Sequence, residues 1–243
     1  MTKLYLNSII ADADKITQRE LVKKVAESHL DIDGFELREE YFAIDENERN
    51  DEIAYYQRLA EEKGWDYYYS VLDEIFIVDG VNPKLEHYFQ VAQSLNAKSI
   101  KMNTGVLRGL ARCEVDDVNH LIDKYDIGLT IENGQLYTNG SIPEVRRALN
   151  IIYNRAFKLG FTFDLGNWTI VQEKPHLAFT QFKSRITTFQ MKNVREDGSF
   201  ALMDDGHATW QDYVHLDVPY MLEYPIHFDD LASEIEKFRN ETA

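Results

Sequence analysis

The stretch FTFDLGNW, residues Phe161–Trp168, decides how the rest of the chain is interpreted. It has the pattern of a buried strand that ends in a carboxylate, Asp164, and then turns at Gly166. A carboxylate on a buried strand destabilises a fold unless it is paired, hydrogen-bonded or bound to a cation. The stretch therefore predicts a polar site at the end of a core strand.

Three further apolar runs also end in a polar side chain. These runs lead into Glu132 after Ile127–Ile131, Gln190 after Ile186–Phe189, and Glu223 after Tyr220–Leu222. Polar groups at the same end of successive strands indicate one shared site. Three carboxylates in so small a space repel one another unless a cation neutralises them, and oxygen ligands favour a hard ion such as Mg²⁺ or Mn²⁺.

Strand-like and helix-like runs alternate along the whole chain. The predicted strands are Leu4–Ile10, Gly34–Arg38, Tyr67–Leu72, Ser99–Asn103, Ile127–Glu132, Phe161–Asp164, Ile186–Phe189 and Tyr220–Glu223. The predicted helices are Lys15–Ser28, Glu52–Lys63, Pro83–Leu95, Asp116–Lys124, Pro143–Leu159, Pro175–Lys183 and Asp229–Asn240, with Gly160 as the cap of the fifth.

Successive strands begin roughly 30 residues apart, the length of one βα unit. Eight such units in a chain of 243 residues predict an α/β fold, a (β/α)8 TIM barrel, with residues 1–243 as one domain. A doubly wound open sheet is the alternative. It usually carries a glycine-rich loop after its first strand, whereas this chain has Ser8–Asp12, SIIAD.

Composition narrows the partners and the compartment. The net charge of −16 repels phosphate backbones, so nucleic acid is not expected as a partner. The sequence has neither a signal-peptide core nor an apolar run of the roughly 18 residues that a membrane span needs. With Cys113 as the single cysteine, a reducing, cytoplasmic location is the expectation.

Five phrases, taken together and in order, resemble the xylose-isomerase-like barrels. They are ELREE at Glu36–Glu40, IEN at Ile131–Asn133, FDLGNW at Phe163–Trp168, QMK at Gln190–Lys192 and LEYP at Leu222–Pro225. Within that superfamily they are most like the 2-ketogluconate-type epimerases. The superfamily contains sugar and sugar-phosphate isomerases and epimerases, some dehydratases and metal-dependent apurinic endonucleases.

The resemblance implies a divalent metal site and a pair of catalytic glutamates. The metal ligands would be Glu132, Asp164, Gln190 and Glu223, with Mg²⁺ or Mn²⁺ favoured and Zn²⁺ as a further option. Gln190 departs from the histidine of the family, and a glutamine carbonyl binds soft ions more weakly than imidazole does. Glu132 and Glu223 would also be the acid and the base that move a carbon-bound proton through an enediolate.

Four further residues are candidates for substrate binding. Lys101 and Lys192 either hold a substrate carboxylate or phosphate or merely neutralise the glutamates. Arg38, on the same strand face as Glu36, is a candidate for binding a substrate anion. Asn167 stands where members of the resembling family often have a histidine.

The resulting functional prediction is a metal-assisted isomerase or epimerase of a sugar or sugar acid, possibly phosphorylated. A dehydratase on the same barrel and a non-catalytic sugar-binding protein with a degenerate metal site are the alternatives. An endonuclease is disfavoured because the sequence lacks the corresponding histidine set and a basic groove. The expected partner is a small-molecule carbohydrate, and assembly into a homo-oligomer is left open.

Overall fold

The computed structural model describes residues 2–107 and 112–243. Met1 and residues 108–111, which belong to the predicted domain 1–243, lie outside the described residues. The eight strands that form the main parallel sheet are β1 (Leu4–Asn7), β2 (Gly34–Arg38), β3 (Asp66–Ile77), β4 (Ala97–Gly105), β5 (Gly128–Glu132), β6 (Leu159–Asp164), β7 (Ile186–Met191) and β8 (Tyr220–Leu222).

These strands close into a parallel barrel. Each of them pairs with the next in parallel, and β8 returns to β1 with Leu4 opposite Tyr220. The closure removes the exposed edges of the sheet, so every strand can be apolar on both sides. The prediction of a (β/α)8 TIM barrel is confirmed.

Helices surround the barrel. They are α1 (Ala11–Asp14), α2 (Gln18–Ala26), α3 (Glu46–Lys63), α4 (Leu85–Ser94), α5 (Arg112–Tyr125), α6 (Tyr137–Gly140), α7 (Ile142–Asn154), α8 (Leu165–Ile170), α9 (Pro175–Phe182) and α10 (Phe228–Glu241). Two short hairpin pairings complete the strands, Gly80–Val81 against β3 and Asn193–Val194 against Phe200–Ala201. None of the described helices combines the length and the apolar composition that crossing a bilayer requires.

Several predicted boundaries are wrong, and local features of the chain explain two of them. The first strand ends at Asn7, because the Asn7 side chain accepts a hydrogen bond from the Ile9 amide and starts a 3-10 turn. The fifth predicted helix ends at Asn154, and Ala156 takes a left-handed conformation with φ 57°. Gly160 is therefore part of β6 and is not a helix cap.

The predicted turn at Gly166 is the start of helix α8, which the sequence interpretation missed. Asp164 is its N-cap residue, with a side chain that accepts a hydrogen bond from the Asn167 amide. Short polar side chains are favoured at this position because they satisfy an amide that the helix itself leaves without a partner. Helix α8 therefore begins directly at the end of β6 and forms one wall of the barrel mouth.

Candidate functional site

The barrel brings the three predicted carboxylates to one end. Glu132 is the last residue of β5, Asp164 is the last residue of β6, and Glu223 follows β8 directly. Because all eight strands run in parallel, these ends lie at the same mouth. Their side chains are linked there by ammonium groups.

Lys192 joins two of the carboxylates. Its Nζ atom lies 2.6 Å from Asp164 Oδ2 and 2.6 Å from Glu223 Oε2. Its side chain is only 3% exposed, so both contacts are largely shielded from water. Lys192 therefore bridges the ends of β6 and β8 as a buried cation.

Lys101 makes the corresponding link on the other side of Glu223. Its Nζ atom donates a hydrogen bond of 2.8 Å to Glu132 Oε2 and lies 3.7 Å from Glu223 Oε1. Lys101 comes from β4, whose register places it beside Thr130 of β5. Glu132 and Glu223 thus flank one ammonium group.

Arg38 completes the cluster. One guanidinium nitrogen lies 3.2 Å from Glu223 Oε1, and Nε donates a hydrogen bond of 2.6 Å to Glu40 Oε1. Glu40 was not among the predicted site residues. The mouth cluster, defined as Arg38, Lys101, Lys192, Glu132, Asp164 and Glu223, has three cations and three carboxylates, whose formal charges cancel.

Gln190 lies in a second group, beside the mouth cluster. Its Nε2 atom donates a hydrogen bond of 2.8 Å to Glu36 Oε2, and the Asn7 amide donates to the same oxygen. Gln190 Oε1 is buried and has no hydrogen-bond partner among the described residues. Asn7 was missed because the first strand was predicted too long, which hid its polar residue at the strand end.

Asn167 lies against the mouth cluster through its side chain. Asn167 Oδ1 accepts a hydrogen bond of 3.3 Å from Lys192 Nζ, and its amide nitrogen Nδ2 donates to the Asn133 carbonyl. The Asn133 side chain in turn bonds both the amide and the carbonyl of Asp164 at 2.9 Å. Asn133, which the sequence interpretation did not select, holds the ends of β5 and β6 together.

Gly166 makes room for the Lys192 side chain. A Cβ atom at Gly166 would lie 2.7 Å from Lys192 Cγ, 2.9 Å from its Cδ and 2.9 Å from its carbonyl oxygen. Any larger residue would therefore force the lysine stem or the backbone to move. The glycine in the FDLGNW phrase is explained by this close approach and not by a turn.

Burial and neighbouring charges set the pKa values of the acids. Burial alone would raise the pKa of Glu223, but Lys192, Lys101 and Arg38 outweigh it and lower that pKa to about 2. Burial raises the pKa of Asp164 to about 7, and the charges of Glu223 and Glu132 add to that rise while Lys192 opposes it. Burial also raises the pKa of Glu36, whose hydrogen-bond donors are neutral amides.

The arrangement does not fit a divalent ion bound by Glu132, Asp164, Gln190 and Glu223. Each of the three carboxylates already contacts an ammonium group, and the amide nitrogen of Gln190 faces Glu36. Among the described residues, both oxygens of Asp164 and both oxygens of Glu223 contact a cation or a hydrogen-bond donor. Gln190 Oε1 has no partner among them, and Lys101 contacts Glu132 through Oε2 alone. Among the described residues, no group of three or more His, Cys, Asp or Glu side chains could hold a metal.

A cavity of about 460 Å³ opens on the same end of the barrel. It is lined by Thr104 and Gly105 at the end of β4, by Tyr137 and Asn139 of the segment after β5, and by Arg147 of α7. These segments follow the strands that carry Lys101 and Glu132. None of the six residues of the mouth cluster is among the described residues that line this cavity.

Comparison with known proteins identifies the fold but not a sequence family. No family model matches the chain, and no curated protein sequence matches it. Among solved structures, a xylose isomerase domain-containing protein from Salmonella typhimurium matches with a TM-score of 0.64 and 16% identity, over 99% of this chain and 96% of that one. The fold is that of the xylose-isomerase-like TIM barrels.

Other solved structures that match are described with different activities. One is described as the probable 3-DHS dehydratase of petrobactin synthesis in Bacillus anthracis, with a TM-score of 0.73 and 14% identity over 99% of both chains. Another is the D-psicose 3-epimerase of Clostridium cellulolyticum, with a TM-score of 0.66 and 9% identity, over 99% of this chain and 98% of that one. A family 2 AP endonuclease also matches, so the fold alone does not choose the reaction.

Two of the solved structures that match are described with zinc. A protein from Thermus thermophilus was studied after soaking with zinc chloride, and another structure holds a zinc atom. The zinc is a feature of those two proteins. In this chain the predicted ligand positions are engaged with Lys101, Lys192 and Glu36.

Proposed function

We propose that this chain is an isomerase or epimerase that moves a carbon-bound proton of a sugar or sugar acid. The observation that carries the proposal is that Glu132 and Glu223 both lie near Lys101 Nζ, at 2.8 and 3.7 Å. Two carboxylates around one cation suit a reaction in which one acid removes a proton and a second returns it. The intermediate would be an enediolate, whose oxyanion the cations would stabilise.

Glu132 is the group to which we assign proton removal. It is the most exposed carboxylate of the mouth cluster, and its one hydrogen bond in the cluster comes from Lys101. Glu223 is held ionised by three cations, which makes it a weak base until a substrate oxygen takes over one of those contacts. Glu223 is therefore assigned the second proton transfer.

Substrate recognition would involve Arg38, Lys101, Asn167 and Lys192. The formal charges of the mouth cluster cancel, so these six side chains have no excess of positive charge that would favour a phosphorylated over a neutral sugar. The cavity at the same end of the barrel would hold the part of the substrate away from the reacting carbon. The divalent metal that the resemblance implies remains a prediction, and the ion pairs of Lys101 and Lys192 weigh against it.

Hydrogen–deuterium exchange tests the proposal without knowledge of the product. The chain would be incubated in D₂O with a panel of ketoses, sugar acids and their phosphates, and loss of the carbon-bound proton would be followed by NMR. Glu132→Gln and Glu223→Gln should each slow exchange by at least about a hundredfold, the usual contribution of a positioned acid or base. Glu61→Gln, a change on the exposed face of α3, is the matched control and should exchange at the original rate. Undiminished exchange in both site variants would remove the role of this pair.

Dehydration is the second candidate reaction, because the Bacillus anthracis protein of the same fold is described as a probable dehydratase. The first step would be the same proton removal by Glu132, but the enolate would expel a β-hydroxyl as water. The same incubations distinguish the reactions. A dehydratase produces an unsaturated carbonyl compound with a new ultraviolet absorbance, whereas an isomerase or epimerase preserves the substrate mass.

A non-catalytic sugar-binding protein remains the third candidate, and the complete pairing of the three carboxylates favours it. Calorimetry with the same panel would detect such binding. A saturable heat of binding, together with no exchange and no dehydration for that ligand, would establish the binding role instead of the enzymatic one.

A further inference from the structure

We propose that the ammonium groups of Lys192 and Lys101 replace a divalent ion in this barrel, so that the mouth stabilises a substrate oxyanion without a metal. The catalytic part of this statement rests on the proposed function. The replacement of the ion does not, because it concerns which cation the carboxylates hold. The two parts are therefore tested separately.

The geometry of Lys192 is the first argument. A Mg²⁺ or Zn²⁺ ion bridging two carboxylates lies about 2.0–2.2 Å from an oxygen of each. Lys192 Nζ already lies 2.6 Å from one oxygen of Asp164 and 2.6 Å from one oxygen of Glu223. An ion between those two side chains would have to displace the ammonium group.

Charge balance is the second argument. The three carboxylates of the mouth cluster are neutralised by Arg38, Lys101 and Lys192. A divalent ion entering this cluster would add two positive charges, and Glu40, which pairs with Arg38, would offset one of them at most. Such charges are strongly unfavourable when they are shielded from water.

The third argument is that the lysine is built into the fold. Its stem passes Gly166 at a distance that no Cβ atom would allow, and its side chain is 3% exposed. The Lys192 ammonium also contacts Asn167 Oδ1, which helix α8 holds in place. A mobile surface lysine that happened to fold over a metal site would show none of these features.

Gln190 supplies the fourth argument. It occupies the position at which the resemblance implies a metal-binding histidine, but its amide nitrogen is committed to Glu36 at 2.8 Å. The remaining oxygen, Gln190 Oε1, is neutral and has no partner among the described residues. A single neutral oxygen can accept a hydrogen bond from a substrate hydroxyl, but it is a poor replacement for imidazole as a metal ligand.

Lys101 has donor capacity for a substrate. An ammonium group has three N–H donors. Among the described residues, Lys101 Nζ donates one hydrogen bond, to Glu132, and its approach to Glu223 is longer at 3.7 Å. A developing oxyanion beside Glu132 could therefore accept a hydrogen bond from Lys101 while Lys192 holds Asp164 and Glu223.

The first test measures metal binding to the wild-type chain, independently of any activity. The purified protein would be stripped with a chelator and titrated with Mn²⁺ and with Zn²⁺ by calorimetry. We expect either no saturable binding to the wild type or binding that Asp164→Asn leaves unchanged. Binding of one equivalent that is lost in Asp164→Asn would overturn the proposal, whereas weak binding that Asp164→Asn leaves intact belongs to the acidic surface and agrees with it.

A second test opens the site. Lys192→Met removes the ammonium group and keeps much of the stem, and Lys192→Met with Gln190→His adds an imidazole. Both variants should bind Zn²⁺ at least about tenfold more tightly than the wild type, because a neighbouring positive charge is gone. Lys183→Met, at an exposed position, is the matched control and should leave affinity unchanged. Affinity in both site variants equal to that of the wild type would contradict the proposal.

The thermal midpoint of unfolding checks that these variants fold. Lys192→Met leaves Asp164 and Glu223 without their shared cation, so its midpoint should fall and should then recover when Zn²⁺ is added. The wild-type midpoint should not respond to Zn²⁺. Should the wild type gain stability from Zn²⁺ and lose that gain in Asp164→Asn, the metal would be the natural occupant.

The catalytic part is tested on any substrate that shows exchange in the wild type. Exchange should survive the chelator, be lost in Lys192→Met and be partly restored in that variant by Mn²⁺ or Zn²⁺. Loss of wild-type exchange in chelator, with recovery on adding metal, would overturn the inference and leave the proposed function intact. If no substrate exchanges at all, the proposed function fails while the metal titrations still decide which cation the site holds.

Discussion

Two carboxylates of the barrel interior, Glu36 and Glu223, are almost equally buried, at 1% and 3% exposure, but have different partners. Glu36 accepts hydrogen bonds from the amides of Asn7 and Gln190. Glu223 is surrounded by the cations Arg38, Lys101 and Lys192. Burial raises the pKa of Glu36, whereas the three cations outweigh burial and lower the pKa of Glu223 to about 2.

Depth of burial therefore does not decide the charge of an acid in this barrel. Neutral amides satisfy the lone pairs of Glu36 but do not offset the free energy that a negative charge loses when it is removed from water. The protonated form of Glu36 is therefore favoured. Ammonium and guanidinium groups do offset that loss for Glu223. Glu223 is therefore a fixed charge of the site, and Glu36 is part of the polar support beside it.

The largest expected effect is the loss of the charge of Glu223. Glu223→Gln leaves three cations facing a neutral amide, and breaking a buried ion pair in this way typically destabilises a protein by about 3–5 kcal/mol. Glu36→Gln keeps the shape and an acceptor for the two amides, so its cost should be about 0.5–1.5 kcal/mol, the net value of one hydrogen bond. Urea unfolding at neutral pH measures both.

Glu36→Gln is also the control for Glu223→Gln, because the two positions match in burial and in the chemical change made. Equal costs for the two changes would mean that the cations around Glu223 contribute nothing beyond ordinary hydrogen bonds. A larger cost for Glu36→Gln would reverse the comparison and make Glu36 the charged centre of the site.

An intermediate effect is expected at Gly166, which lets Lys192 reach Glu223. Gly166→Ala should destabilise the fold by about 1–3 kcal/mol, the usual cost of overpacking, because its Cβ would lie 2.7 Å from Lys192 Cγ. The cost should be smaller when Gly166→Ala is made in a Lys192→Ala background, where that stem is absent. A double-mutant cycle by urea unfolding measures the coupling. An identical cost in both backgrounds would show that the glycine serves the backbone near position 192 and not the lysine.

The strands and their polar ends could be predicted from the sequence because both signals are local. Apolar runs of strand length recur at the spacing of βα units, and Glu132, Asp164 and Glu223 each come at the end of such a run. Parallel closure then places their side chains at one mouth. The prediction of the barrel is confirmed for this reason, although Gly160 was predicted as a helix cap and is part of β6.

Neutralisation of the glutamates by Lys101 and Lys192 was one of two roles that the sequence offered for these lysines. Which cation pairs with which acid could not be predicted, because the pairing depends on side-chain directions across separate strands. Lys192 reaches Asp164, 28 positions away, only because Gly166 leaves space for its stem. Gln190 contacts Glu36 across 154 positions of sequence. The residue types at strand ends indicate where polar groups meet but not which cation neutralises which carboxylate. The same sequence pattern is therefore compatible with a bound metal and with the lysines that the structure shows.

The smallest and most discriminating effect is the response of the two acids to pH. The lowered pKa of Glu223 means that its stabilising contribution is complete above its ordinary value of 4.5 and is lost as pH falls toward about 2. The raised pKa of Glu36 has the opposite consequence: its contribution is complete below 4.5 and is lost as pH rises through the raised value.

On acidification from about pH 7 to about pH 4, the stability gap between wild type and Glu223→Gln should therefore narrow, and wild type should gain stability relative to Glu36→Gln. Urea unfolding of the three proteins, followed by tryptophan fluorescence, gives both differences. If wild type gains or loses stability relative to both variants on acidification, the assignment of opposite charge states to Glu36 and Glu223 is wrong. Amides and ammonium groups would then have the same effect on a buried carboxylate in this barrel.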